Sequence, residues 1–237
     1  MNFYNPILST GQAQRIALTR MLYQKQTAFQ KIEVFDTAEF GRCLAIDGLI
    51  QATENDHHLY DAAFTSAITE VHRRVLILGG GDGFVAQAAL AKNPHLKITV
   101  VEIDTGIVGV ARDFFQQMVF EDARVELVIS DAGEYLRQGE QTLFDVIFFD
   151  LTDNPLCGNM NAETFSAFYT KAFQNASVVL APGGQVVVQA GASHVTDAYL
   201  DSAKILHGLM SQHFAQVQDV CAFIPSFGEK CSFLYAH

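Results

Sequence analysis

A short apolar strand that runs directly into a cluster of glycines constrains the fold of this chain more than any other stretch. Residues 75–78 read VLIL, and GGGDG follows at residues 79–83. Four successive apolar residues suit a strand buried on both faces of a parallel sheet. The glycines let the backbone turn sharply and approach a ligand closely. FVAQAALAK at residues 84–92 then predicts a helix whose N-terminus points at the turn.

A second strand places an acidic side chain beside this glycine turn. Ile98–Ile103 reads as an apolar strand that carries Glu102 near its C-terminal end, about 20 residues beyond the glycines. A carboxylate at that position can accept hydrogen bonds from ribose hydroxyls. The two strands together predict a site for a ribose-bearing ligand.

Strands and helices alternate from Arg74 to the end of the chain, which predicts an α/β fold. The expected architecture is a Rossmann-like doubly wound sheet of the class I methyltransferase type, with one reversed strand contributed by a C-terminal hairpin. Short strands separated by turn residues between Arg15 and Thr53 predict a small antiparallel sheet. Residues 1–14 are aperiodic and read as a loosely attached arm, and residues 56–72 read as a helix. We therefore expect a small N-terminal β-strand domain over residues 1–55 and a Rossmann-like catalytic domain over residues 56–237.

Composition excludes several classes of function. The net charge of −11 argues against a nucleic-acid partner, because phosphate binding needs clustered Lys and Arg. The four cysteines show no C-x-x-C spacing, so we expect neither a zinc site nor a disulfide framework. Adjacent His57 and His58 point in different directions on a helix, which argues against a metal site. Without a signal sequence or an apolar run that could span a bilayer, a cytoplasmic protein with no membrane partner is expected.

The glycine turn contains a carboxylate, and this decides which ligand it favours. The dinucleotide fingerprint G-x-G-x-x-G would need a glycine where this chain has Phe84. Asp82, inside the turn, would repel a phosphate at the helix N-terminus and favour a ligand that carries a cation. S-adenosylmethionine and its decarboxylated form both carry a sulfonium and an amine but no phosphate.

Three further carboxylates follow predicted strands. Asp131, after the third strand, can accept a hydrogen bond from an adenine amino group and can also cap the next helix. Asp150 ends the fourth strand, and Asp153 lies in the loop that follows it. Ligands of open α/β sheets bind outside the C-terminal ends of the strands, where these groups are expected. Asp145 opens the fourth strand and is interpreted as structural.

Several motifs in this order resemble the spermidine synthases and related polyamine aminopropyltransferases. They are residues 23–60, RVLILGGGDG, VVEID, SDAGEYL and FDVIFFDLTD. The resemblance implies transfer of an aminopropyl group from decarboxylated S-adenosylmethionine to putrescine or another amine, with release of methylthioadenosine. It implies no prosthetic group, and it implies a homodimer.

The resemblance also implies roles for individual residues. The donor nucleoside would be held by Gln30, Asp82, Glu102, Asp131 and Ala132. Asp150 would be the catalytic carboxylate, and Tyr60, Asp61 and Asp153 would contact the acceptor amine.

This chain departs from the family pattern around the acceptor. Asp61 and Ala62 stand where the family carries His-Glu or Gln-Glu, Gly191 replaces a carboxylate, and Phe227 replaces a tyrosine. Two alternatives therefore stay open: a methyltransferase that uses intact S-adenosylmethionine, and a non-catalytic nucleoside-binding homologue. Asp82 and the N-terminal β-segment favour the aminopropyltransferase over a methyltransferase.

Overall fold

The computed structural model describes residues 2–9, 12–139, 143–151, 162–192 and 202–237. The strands are β1 Asn2–Tyr4, β2 Ile7–Ser9, β3 Gln12–Ala13, β4 Ile16–Gln26, β5 Lys31–Thr37, β6 Gly41–Ile46, β7 Leu49–Thr53, β8 Arg74–Gly79, β9 Lys97–Glu102, β10 Val125–Ile129, β11 Phe144–Asp150, β12 Leu180–Ala192, β13 Val217–Ile224 and β14 Glu229–Ala236. The α-helices are α1 His57–Phe64, α2 Phe84–Lys92, α3 Thr105–Phe115, α4 Ala132–Gln138, α5 Ala162–Val179 and α6 Ser202–Met210.

The larger sheet has seven strands in the order β10-β9-β8-β11-β12-β14-β13. Five neighbouring strands are mutually parallel, namely β10, β9, β8, β11 and β12. Strand β14 pairs antiparallel with both β12 and β13. The strand order reverses at β8, where the chain first enters the sheet. This is the doubly wound α/β arrangement with one reversed strand that the sequence predicts, so the fold class is confirmed.

Strand β8 shows why a continuous apolar run is needed at the centre of this sheet. Val75 and Ile77 pack into the core on the side of α1 and α2, whereas Leu76 and Leu78 pack against α4, α5 and α6. All four side chains are fully buried. Because both faces of the strand are covered at these four positions, polar residues have no place there.

The N-terminal sheet is antiparallel, in the order β1-β4-β5-β6-β7. The expectation of a loose arm is wrong for residues 2–4, which form β1 and pair with Ile16–Leu18. Aromatic packing holds this short strand, because the Tyr4 ring lies 4.2 Å from Phe35, centroid to centroid. The Tyr4 hydroxyl also donates to Glu33 at 2.9 Å.

The helix before the large sheet is shorter than the predicted 56–72. α1 ends at Phe64, a single 3-10 turn follows over Thr65–Ala67, and the backbone of Ile68 is extended. The apolar spacing continues to Val71, but that side chain is 77% exposed. The predicted helix was therefore too long, because the apolar spacing continues past the last buried residue of the segment.

The end of β8 approaches β11 so closely that only glycine fits. Gly79 has φ +85° and pairs with Asp150 across the sheet, and a Cβ at Gly79 would lie 2.0 Å from the Asp150 carbonyl oxygen. This contact brings the glycine turn and the end of β11 to one place.

We expect Gly79→Ala to destabilise the fold through this overlap. Left-handed backbone alone costs an alanine about 1–2 kcal/mol, and overpacking typically adds about 1–3 kcal/mol. Gly183→Ala is the matched control, because Gly183 has φ +76° but a Cβ added there would meet nothing within 4 Å. Urea unfolding should show a larger loss for Gly79→Ala by about 2 kcal/mol. Equal losses would contradict the close approach.

Candidate functional site

A cleft opens at the C-terminal ends of the parallel strands. Its lining contains eight of the nine side chains that the sequence singles out: Gln30, Tyr60, Asp61, Asp82, Glu102, Asp131, Ala132 and Asp150. The ninth, Asp153, lies outside the described residues. The predicted residues are thus brought together around one hollow, at the edge where open α/β sheets bind their ligands.

Glu102 is held against the glycine turn by two backbone donors. The amide of Gly81 donates to Oε2 at 3.1 Å, and that of Asp104 donates to Oε1 at 2.8 Å. A Cβ at Gly81 would come within 2.6 Å of Glu102 Cγ, so the glycine is required for this approach. Burial raises the pKa of Glu102, and the amide donors oppose the shift. The carboxylate is therefore fixed in orientation at the point where a ribose is expected.

Asp82 is a strongly perturbed acid in the cleft. Burial, and then the nearby Asp61 carboxylate, raise the pKa of Asp82 to about 7. The amide of Phe84 donates to its Oδ1 at 3.1 Å and partly offsets this shift. A bound cation would favour the ionised form. Asp82 is thus placed to respond to a positively charged ligand.

His57 and Asp61 form a pair on one face of α1. The His57 Nδ1 and Asp61 Oδ2 atoms are 2.6 Å apart, and the imidazole stacks on Phe84 with centroids 4.1 Å apart. Burial lowers the pKa of His57, but its hydrogen bond to Asp61 raises it overall. Neighbouring His58 is exposed, and the described residues contain no group of three potential ligands that could hold a metal.

Asp150 and Tyr60 meet in the middle of the cleft. The Tyr60 hydroxyl donates to Asp150 Oδ1 at 2.5 Å. The tyrosine ring is embedded among three phenylalanines, with centroid distances of 5.1–6.2 Å, namely Phe64, Phe227 and Phe233. The rigid aromatic packing fixes the phenol, and the phenol orients one oxygen of the carboxylate.

Asp131 and Ala132 form the start of α4. Asp131 Oδ1 accepts from the amide of Glu134 at 2.9 Å, so it caps the helix as the sequence allows. Asp131 is exposed and lines the cleft, and its carboxylate has further lone pairs that can accept from another donor. Asp131 can therefore cap α4 and accept a hydrogen bond from an adenine amino group at the same time.

Gln30 reaches the cleft from the N-terminal sheet. Its Nε2 donates to Asp104 Oδ2 at 3.2 Å, and Thr27 Oγ1 donates to the same oxygen at 2.7 Å. Asp104 also caps α3 by accepting from the amide of Gly106. One carboxylate therefore connects both sheets next to Glu102.

The sequence predictions missed several residues of the lining. Gln51 follows Ile50 in a strand of the N-terminal sheet, and its side-chain Nε2 is buried without a hydrogen-bond partner. Phe84, Phe168 and Phe227 add aromatic surface. In sequence Phe84 and Phe168 are indistinguishable from core residues, whereas Phe227 stands at a departure from the family pattern around the acceptor. Gln51, a polar residue between Ile50 and Ala52, also carries a recognisable signal.

The described lining is strongly acidic. It contains six carboxylates, Asp56, Asp61, Asp82, Glu102, Asp131 and Asp150, and neither Lys nor Arg. Such a cleft attracts cations and disfavours phosphate. The result agrees with the preference deduced from Asp82 alone.

Comparison with known proteins places the chain in a family. Residues 42–236 match the spermine/spermidine synthase domain, and residues 3–54 match the spermidine synthase tetramerisation domain. The chain belongs to the spermine/spermidine synthase family. The family predicted from the sequence is confirmed, as is the class of enzyme, a transferase.

Individual relatives agree with this membership. The polyamine aminopropyltransferase 1 of Hyperthermus butylicus is 34% identical over the whole chain and 80% of its own length. The polyamine aminopropyltransferase of Salmonella arizonae is 35% identical over 90% of this chain and 73% of its own length. A solved spermidine synthase in complex with the transition-state analogue AdoDATO superposes with TM-score 0.87 at 24% identity, over 99% of this chain and 80% of that one, and supports the fold.

The family match also bears on assembly and on membranes. A tetramerisation domain over residues 3–54 indicates an oligomer rather than specifically a homodimer. Among the described residues, no helix is both long and apolar enough to cross a bilayer.

We expect Asp82→Asn to change how the stability of this enzyme depends on pH. With a pKa raised to about 7, Asp82 holds a proton in the folded protein after it has lost it in the unfolded chain. Its contribution is therefore favourable near pH 4 and is lost as the pH rises through 7. The asparagine can still accept from the Phe84 amide.

Urea unfolding at pH 5 and pH 8 measures the effect. Relative to wild type, the variant should gain on the order of 1–2 kcal/mol between the two pH values. Exposed Asp113→Asn on α3 is the matched control and should run parallel to wild type. Parallel curves for Asp82→Asn would show that Asp82 is not perturbed.

Proposed function

We propose that this chain transfers an aminopropyl group from decarboxylated S-adenosylmethionine to an amine, and releases methylthioadenosine. The observation that carries the proposal is the Asp150–Tyr60 pair, which lies in an acidic cleft beside the glycine turn. Family membership supports the same reaction.

The donor would lie across the glycine turn. Glu102 would accept hydrogen bonds from the ribose hydroxyls, and Asp131 and Ala132 would contact the adenine. Gln30 would close this side from the N-terminal sheet. Asp82 would face the aminopropyl tail, where it favours an ammonium and repels the α-carboxylate of intact S-adenosylmethionine.

The acceptor must be deprotonated before it reacts. Alkylamines are mostly protonated at neutral pH, since they titrate near ~10. Asp150 would orient the amine and accept its proton. The nitrogen lone pair then attacks the propyl carbon bonded to sulfur, the C–N bond forms as the C–S bond breaks, and the bonding pair leaves with sulfur as a neutral thioether. In-line positioning supplies much of the acceleration.

The remaining assignments belong to the same proposal. Tyr60, Asp61 and Asp153 would contact the acceptor, which we take to be putrescine or another polyamine. We propose no prosthetic group and a cytoplasmic, homo-oligomeric enzyme in which residues 1–55 form a separate N-terminal domain.

Product analysis tests the proposal against the alternatives. The protein is incubated with decarboxylated or intact S-adenosylmethionine and a panel of amines. Amine-dependent release of methylthioadenosine supports the proposal, whereas S-adenosylhomocysteine would indicate a methyltransferase. Tight methylthioadenosine binding without turnover on any amine would indicate a non-catalytic homologue.

Asp150→Asn should reduce transfer by roughly 10²–10⁴-fold, the usual contribution of general-base catalysis, because the amide cannot accept the amine proton. Methylthioadenosine binding, measured by calorimetry, should stay within about twofold. Asp145→Asn is the matched control. Asp145 opens the same strand and accepts from the amides of Arg73 and Arg74, away from the cleft. Wild-type turnover by Asp150→Asn would remove Asp150 from its role.

Asp82→Asn should also reduce the preference for decarboxylated over intact S-adenosylmethionine. Removing the charge weakens binding of decarboxylated S-adenosylmethionine by about tenfold or more and relieves the repulsion of the carboxylated form, because a hydrogen bond to a charged group contributes roughly 1.5–3 kcal/mol. Methylthioadenosine, which lacks the cationic tail, serves as the internal control. An unchanged ratio of the two dissociation constants at pH 8 would exclude Asp82 as the selecting group.

A further inference from the structure

The turn between β13 and β14 closes one end of the cleft beside the reacting groups. Ile224 and Phe227 from this turn line the cleft, and the Phe227 ring lies 6.2 Å from the Tyr60 ring, centroid to centroid. Tyr60 in turn donates to Asp150. The Tyr60 side chain therefore links Phe227 of this turn to Asp150, the proposed base.

A buried carboxylate from a distant part of the sequence holds this turn. Asp56 accepts from the Ser226 amide at 2.7 Å and from the Ser226 hydroxyl at 2.8 Å, across 170 residues. Thr53 Oγ1 donates to the same carboxylate at 2.6 Å. Asp56 is 6% exposed, and the other two residues are fully buried. Three donors around a buried carboxylate hold it in one orientation.

Asp56 does not cap the helix that follows it, although an aspartate at this position commonly does. It immediately precedes α1, where its side chain could cap the helix, yet it makes no capping hydrogen bond. Asp104 and Asp131, at the same position before α3 and α4, both cap their own helices. The carboxylate of Asp56 is directed to the distant turn instead.

The shape of the turn and its location have separate causes. Within the turn, the amides of Phe227 and Gly228 both donate to the Ile224 carbonyl at 3.1 Å, which sets its shape. Asp56 lies at the start of α1, the helix that carries Tyr60. The Asp56–Ser226 bonds therefore fix how far the Phe227 ring stands from the Tyr60 ring.

We propose that Asp56 is a positioning residue which, through Ser226, fixes the Phe227 ring against the Tyr60 ring, and that the space this leaves in the cleft beside Asp150 selects the acceptor by the length of its carbon chain. The inference rests on the proposed transfer reaction. An amine whose nitrogen reaches Asp150 must lay its hydrocarbon along these rings. The phenyl ring of Phe227 offers no hydrogen-bonding group, so it contacts methylene groups, which fits an unbranched α,ω-diamine.

Turnover of a diamine series with three to six carbons tests the proposal. Ser226→Ala should raise the KM for the preferred diamine by about 3–10-fold, the range expected for one buried hydrogen bond. It should also flatten the preference between chain lengths, while kcat changes by less than about twofold and methylthioadenosine affinity stays constant. Phe227→Ala should flatten the preference further.

Ser202→Ala is the matched control, because the Ser202 hydroxyl is also buried and donates to the Ala190 carbonyl at 2.6 Å, but it does not line the cleft. It should lose comparable stability and keep the wild-type chain-length profile. Identical profiles for Ser226→Ala and Ser202→Ala would overturn the proposal.

Hydrogen exchange supplies a readout that does not depend on activity. Ser226→Ala, and Asp56→Asn more strongly, should speed exchange in residues 224–228, whereas Ser202→Ala should not. If the wild-type protein turns over no amine, the proposed function fails. The chain-length preference of wild type, Ser226→Ala and Ser202→Ala is then compared by diamine binding to the methylthioadenosine complex instead of by turnover. Unchanged exchange in residues 224–228 would show that Asp56 does not hold the turn.

Discussion

The backbone contact between the end of β8 and the end of β11 underlies the whole site. Gly79 accommodates the Asp150 carbonyl where any side chain would collide with it. This approach places the glycine turn, which presents Asp82 and the Gly81 amide, next to the carboxylate that ends β11. The chemistry of the cleft is therefore a consequence of strand packing: two adjacent parallel strands end at the same level, and their loops are forced to share one space.

Electrostatics in the cleft follow from the burial of several carboxylates with one histidine, His57, as a nearby cationic group. Carboxylates crowd a pocket whose described lining has neither Lys nor Arg, and the pKa values of Asp61, Asp82 and Glu102 are all raised, first by burial. Ionising these buried carboxylates is unfavourable in the unliganded protein, and it becomes favourable when a cation binds beside them. A sulfonium nucleoside with an ammonium tail supplies two positive charges. Ligand selection and local instability thus have the same physical origin.

Much of this could be predicted from the sequence, because strong periodicity and glycine spacing report directly on buried strands and tight turns. The doubly wound sheet and the placement of Asp82, Glu102, Asp131 and Asp150 at one edge followed from those signals. The remaining predicted residues of the cleft, Gln30, Tyr60, Asp61 and Ala132, came from the family resemblance. The predictions failed where local pattern and tertiary context separate. Residues 2–4 look aperiodic, but Tyr4 packs on Phe35, and the spacing that suggests a helix to residue 72 continues after burial has ended. The bond between Asp56 and Ser226 could not be found at all, since contacts across 170 residues leave no local trace.

Asp104 has a wider consequence. It receives Thr27 and Gln30 from the first sheet, caps the helix that follows β9, and donates its own amide to Glu102. The segment that contributes those two partners lies within the region matched to a tetramerisation domain. The N-terminal sheet and the Glu102 side of the cleft are therefore joined through a single side chain, so a displacement of that sheet would be transmitted directly to Glu102.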